Sequence, residues 1–265
     1  MLVKLADMVQ NVGPWQNSSR PLLKAFDPGR EFYLLDQPIS VASAGPMLRQ
    51  DNTGAGSQMF ASFAGAIFPD GPGGGQIGPF YQLETGTTTT GRCGWTAGNA
   101  NNAWGFHADI ECMYWRSIIR LNTLSTAGEE YSMYCGFADS TTVTIGPADG
   151  VGFGYDRLNL GVNWQAIIRA GSVGVPIDLG IPVDNNWHDF VVGWKNGAAH
   201  WSVDGNVVLS TAVGVPVTNQ AFGASVNILK SAGTTSRTVG AAFQEVYMRW
   251  QDGHTRGVAL PPFCD

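Results

Sequence analysis

From residue 30 to about 250, apolar side chains recur at every second position, and polar turns cut the runs at short intervals. That period places alternate residues on opposite faces of a strand, so it constrains the fold more tightly than any single motif. Glu31–Leu35 opens the series. FHADIECMYWRSIIRLN (106–122) is its longest run, with Ile110, Cys112, Tyr114 and Ile118 on one face. Tyr131, Met133, Cys135 and Phe137 align in the next run, and Val151, Phe153 and Tyr155 in the one after. NWQAIIR (163–169) and WHDFVVGW (187–194) follow. Asn196-Gly197 and Asp204-Gly205 then read as two-residue hairpin turns flanking AHWSV, with NVVLST returning. Earlier, PFYQLETGTTTTGRCGW reads as two short strands about a Thr-rich turn, and Thr87–Thr90 suit an exposed strand edge. Residues 238–250 close the set as one more alternating strand.

Many strands joined by turns, with no internal repeat of fixed period, describe an all-β antiparallel sandwich over residues 30–252. The 35 Gly supply turns, and they also crowd two loops of 51–79, DNTGAGSQ and PDGPGGGQIGP. Residues 1–29 differ. Leu2, Leu5, Met8, Val9 and Val12 permit one short helix ended by Gly13-Pro14, and with Trp15 they read as an extended arm that docks on a neighbouring subunit. Residues 253–265 form a tail. The opening residues do not make a secretory signal, and no apolar stretch is long enough for a membrane helix. Four Lys and a net charge of −6 give no basic patch for nucleic acid. Cys93, Cys112, Cys135 and Cys264 lack metal-ligand spacing and are expected as free, mostly buried thiols.

The pieces GQIGPFYQLETGTTTTGR, HADIECMYWRSIIRL, YSMYCGFADS, ADGVGFGYD, NWQAIIRAG, NNWHDFVVGW and HWSVDGNVV occur in this order between residues 75 and 208. Together they resemble the concanavalin A-like lectin/glucanase jelly-roll superfamily, in the form found in bacteriophage virion proteins such as tail fibres and head-surface proteins. The resemblance runs from residue 76 to 250, about two-thirds of the chain. It implies a jelly roll and a protein displayed on a particle.

Many members of that superfamily are glycosidases with paired carboxylates on one strand. Asp109 and Glu111 share a face, but Cys112, Met113, Tyr114 and Trp115 follow where a third acid would stand. No catalytic residue is therefore assigned. His107, His188, His200 and His254 form no metal pattern, and neither a nucleophile elbow nor a phosphate loop is present. No cofactor is expected. Sugar rings stack their C–H faces on Trp and Tyr, while Asn and Asp read hydroxyls. Most of Trp115, Trp164, Trp187, Trp194 and Trp201 are expected in the core. Trp95 and Trp104, with Asn99, Asn101 and Asn102 in CGWTAGNANNAWG, form the expected contact surface for a glycan or a protein neighbour.

The expected function is a non-enzymatic virion protein, assembled in the host cytoplasm and docked on capsid or tail proteins. It would be homo-oligomeric, as a trimer or repeated copies, and able to hold a host-surface glycan. Two alternatives stay open: a glycan-degrading enzyme of the same fold, and a free carbohydrate-binding lectin.

Overall fold

A computed structural model describes residues 31–36, 60–62, 81–97, 106–107, 112–139, 146–195, 197–216, 221–242 and 244–249. Among these the backbone forms sixteen strands and no helix. The N-terminal arm, the tail and most of the two Gly-rich loops lie outside the described residues.

One eight-stranded sheet runs β1 (Glu31–Asp36), β16 (Gln244–Arg249), β6 (Cys112–Leu121), β11 (His188–Lys195), β12 (Ala198–Val203), β13 (Asn206–Thr211). Also in it, β15 (Thr238–Ala241) pairs with β6 and with β3 (Tyr81–Glu84). The second runs β10 (Ile177–Pro182), β9 (Asn163–Arg169), β8 (Gly150–Asp156), β7 (Tyr131–Ala138), β14 (Ala221–Lys230), β4 (Arg92–Ala97), β2 (Phe60–Ser62), with β5 (Phe106–His107) on β14. Every pairing is antiparallel, and the two sheets stack as a jelly-roll sandwich.

Alternation decides what fills the space between them. Met113, Trp115, Ile119 and Leu121 of β6 face Met133, Cys135 and Phe137 of β7 and Val151, Phe153 and Tyr155 of β8 in one buried cluster. Phe190 of β11 meets Phe153 edge-on at 4.8 Å and Trp164 at 4.6 Å, joining the sheets through aromatic edges. The Trp201 indole N–H on β12 donates to the Gly152 carbonyl on β8 at 2.7 Å, so a buried polar atom in each sheet satisfies the other. Gly152 must be glycine: a Cβ there would strike the Cys135 carbonyl and the Tyr134 ring.

The hairpins form as the turn chemistry predicts. Lys195 pairs with Ala198 around Asn196-Gly197, and Val203 pairs with Asn206. Asp204 (φ 52°) and Gly205 (φ 81°) both take the left-handed region that a type I′ turn needs.

Three expectations need correction. Residues 238–250 are two strands, because Ala241 pairs with Ile119 but Glu245 with Arg116, which leaves one extra residue on this side. That bulge, where the Ala242 N–H donates to the Ile118 carbonyl, flips the alternation, so Val239, Ala241 and Val246 all reach the core. Thr87–Thr90 are exposed bend and turn residues, not a strand edge. Among the cysteines, Cys93 and Cys135 are free and buried, but Cys112 is disulfide-bonded. Cys112 and Tyr114 do share a face of β6. It is the face turned away from the other sheet, where they pack with Val191 and Tyr247.

Candidate functional site

The segment Asp184-Asn185-Asn186-Trp187-His188 leads into β11 at a corner of the first sheet. Asp184 builds the approach as an Asx turn. Its Oδ1 accepts the Asn186 backbone N–H at 2.7 Å and its Oδ2 the Asn186 side-chain amide at 2.8 Å. The loop is anchored behind Asp184 by the Val183 N–H, which donates to the Val162 carbonyl. Trp187 falls at the last position before the strand, so the core expectation fails for it. Its side chain is 38% exposed, whereas Trp115, Trp164 and Trp201 are buried as expected. The Arg120 guanidinium lies over its ring, 5.9 Å from the centroid. A cation there fixes the ring's attitude with about 0.5–1 kcal/mol.

His188 holds the corner together. Its Nδ1 faces Asp204 Oδ2 at 2.7 Å and its Nε2 faces Asp184 Oδ1 at 3.0 Å. Asp204 also accepts the Asp189 N–H through Oδ1 and donates its own N–H to the Asp189 carbonyl. The imidazole therefore ties the Asx loop to the β12–β13 hairpin turn. Burial lowers the His188 pKa, but hydrogen bonds and charge from Asp204 and Asp184 outweigh it and raise the value above the usual 6.5. Asp184 moves the other way. Burial opposes its ionised form, while the Asn186 amides and His188 more than compensate and lower its pKa.

Both ring nitrogens of His188 are thus engaged by carboxylates. The loop instead presents the exposed Trp187, Asn185 and Asn186 in succession, and Asp204 is exposed in the β12–β13 turn that His188 ties to it. Apolar ring plus amide and carboxylate acceptors is the combination that fits a pyranose, whose C–H face is apolar and whose rim is hydroxyl. Among the described residues, no group of three or more His, Cys, Asp and Glu is arranged to hold a metal ion.

A second polar network lies beside it, on the outer face of the same sheet. Tyr114 Oη donates to Glu245 Oε1 at 2.6 Å, and Arg116 forks onto Asp189 through Nε and Nη2, both at 2.8 Å. Arg116 Nη1 also stands 3.5 Å from Glu245 Oε2. At the opposite end, Glu129 accepts the N–H groups of Thr234 and Thr235 and holds that loop against Arg237. Both networks fasten backbone.

Of the residues expected to bind, Trp95 stands in β4 at the position opposite Val226 of β14. Trp104, Asn99, Asn101 and Asn102 lie outside the described residues, as do Leu2, Leu5, Met8 and Trp15. Asp109, Glu111 and His254 lie outside them too, and His107 is in β5 opposite Ala221. His200 bonds Ser210 Oγ at 2.8 Å across the β12–β13 pair. The signal for the Trp187 corner was present in the sequence as an Asp-Asn-Asn run, a turn former, directly before the ring.

No family model matches the chain, and no curated protein is similar to it. Solved structures do share its fold. The carbohydrate recognition domain of Emp47p superposes with a TM-score of 0.51 at 10% identity, over 82% of this chain and 95% of that domain. A protein of unknown function from Shewanella oneidensis MR-1, SO2946, superposes with a TM-score of 0.55 at 11% identity, over 86% of this chain and 90% of that one. The likeness is one of fold.

Proposed function

We propose that this chain is a non-catalytic carbohydrate-binding module displayed on a virion, and that it holds a glycan at the Trp187 corner. The observation that carries the reading is the exposed Trp187 ring, with Arg120 over it, in one loop with the exposed Asn185 and Asn186. His188, held between the carboxylates of Asp184 and Asp204, gives that loop a fixed shape, which suits binding. The Emp47p domain that shares the sandwich is itself a carbohydrate recognition domain. The virion setting is supported by the strand-and-turn resemblance to phage fibre and head-surface proteins. Many copies on one particle would raise a weak single-site affinity by avidity.

A glycan array probed with the purified chain tests the binding reading. A defined set of bound glycans, with no reducing ends released from the same glycans in solution, is the expected result. Release of reducing ends would make the protein an enzyme. Peptide mass spectrometry of purified particles tests the setting: many copies per particle are expected, and absence would remove the virion while leaving the glycan.

A further inference from the structure

We infer that two copies of this chain pair about a two-fold axis through an apolar patch built from a tetrapeptide that occurs twice, Val173-Gly174-Val175-Pro176 and Val213-Gly214-Val215-Pro216. The first precedes β10, the edge strand of the second sheet, and the other follows β13, the edge strand of the first. The fold brings both segments to one residue. A Cβ at Gly214 would lie 3.8 Å from the Ile168 side chain, and one at Gly174 would strike the Ile168 carbonyl. Ile168 belongs to the buried core, so the segments meet where the two sheet edges converge.

The patch is apolar where it meets solvent. Val173 and Val175 are each 75% exposed, Val213 80% and Ile177 37%. Leu179 and Val215 lie half-buried behind them, against the core. The four exposed side chains present an apolar area of about 400 Å², the size at which a surface patch marks a contact site. Both segments are also held in place. Ala170 and Val173 exchange two backbone hydrogen bonds, at 2.9 and 3.0 Å, and the Ser172 N–H donates to the Ala148 carbonyl at 2.6 Å. The Gly171 N–H donates to Asp149 Oδ1 and Arg169 Nη2 to the Ser172 carbonyl, both at 2.7 Å. On the other side the Val213 N–H donates to Thr211 Oγ1 at 3.0 Å. A surface fixed in this way loses little freedom on contact.

Charge selects the partner. A two-fold contact sets each residue near the axis against its own copy, so a charge there would meet its like. Residues 171–177 and 210–216 carry no charged side chain. The nearest charges stand at the rim and are already engaged within the chain: Asp149 and Arg169 as above, and Asp178 with the Asn163 amide and the Gly180 N–H. An apolar centre inside a satisfied polar rim complements its own copy. Pro176 and Pro216 carry no N–H, so the contact is made by side chains rather than by extending a ladder. Fourteen residues are fewer than the roughly 20–30 that each partner gives a standard interface, so the expected affinity is micromolar rather than nanomolar. The pairing does not rest on the glycan reading. Trp187 and Asp204 lie beyond the opposite ends of β10 and β13, so a dimer leaves both Trp187 corners open.

Sedimentation equilibrium of the full chain, from about 1 to about 200 μM, tests the pairing. The wild type is expected to show a monomer–dimer equilibrium. Val213→Glu and Val175→Glu, one in each segment, should each weaken it at least tenfold. Their Tm should stay within a few degrees of wild type, because both side chains are exposed. Thr89→Glu, exposed in the turn after β3 at the far side of the first sheet, should leave the equilibrium unchanged, as should Trp187→Ala. A wild type that stays monomeric, one that forms trimers, or an association that either glutamate leaves unchanged would overturn the inference.

Discussion

The imidazole Nδ1 of His188 stands 2.7 Å from the carboxylate of Asp204, a residue held at φ 52° in the turn between β12 and β13. One contact thus links a charge, a strained turn and the loop that carries Trp187, because the other ring nitrogen holds Asp184. The left-handed backbone at Asp204 is tolerated because a short carboxylate side chain can serve as acceptor to both His188 and the Asp189 N–H.

The first prediction is a pH dependence. The folded pKa of His188 lies above its unfolded value of 6.5, so its stabilisation is complete below 6.5 and is lost as pH rises through the folded pKa. The Tm should therefore fall across that window, above pH 6.5. Asp204→Asn keeps a residue that accepts the turn and removes the charge, so its Tm should change less over the same window. An unaltered pH slope in that variant would contradict the assignment.

Trp201 supplies the second. Trp201→Phe keeps an aromatic ring but strands the Gly152 carbonyl in the core, which costs about 1–3 kcal/mol. Equilibrium urea unfolding should show a lower midpoint at unchanged slope. A midpoint equal to wild type would mean that the carbonyl finds another donor.

Gly152 gives the third. Gly152→Ala drives a methyl into the Cys135 carbonyl and the Tyr134 ring, with a cost of about 1–3 kcal/mol or more. Gly197→Ala, at an open turn position with φ 78°, meets no neighbour and should cost about 1 kcal/mol from backbone strain alone. Thermal unfolding of the two variants should rank them in that order.

Thiol chemistry gives the fourth. Burial pushes the Cys93 thiol up to about 12, with Glu84 a smaller influence, and burial raises Cys135 as well. Neither should react with iodoacetamide at pH 8 in the native protein, and both should react once it is unfolded. Native modification of either would mean that the sheets open locally.

What the sequence disclosed follows from where burial falls. β7 and β8 were legible because their inward rows, from Tyr131 to Phe137 and from Val151 to Tyr155, are large and apolar. β14 went unread although it is among the most central strands of its sheet. Phe222, Ala224, Val226 and Ile228 do alternate, but Gly223, Ser225 and Asn227 between them are small or polar and look like loop, and here both faces are buried. β10 was hidden by its exposed face and by Pro182, which an edge strand tolerates. The bulge at Ala242 was invisible because one inserted residue changes the phase of the pattern, not its composition. For Trp187, the size of the side chain argued for the core, while the turn before the strand placed it on the surface. Packing statistics lost there to a local hydrogen bond.

The most direct test of the glycan-binding account is the affinity of Trp187→Ala for the best array glycan, measured by calorimetry beside the wild type. The ring is partly exposed, so the variant should stay folded, with its Tm shifted by only a few degrees. Loss of the stacking face should weaken binding by tenfold or more, which is about 1.4 kcal/mol. Affinity equal to wild type in the folded variant would contradict the account.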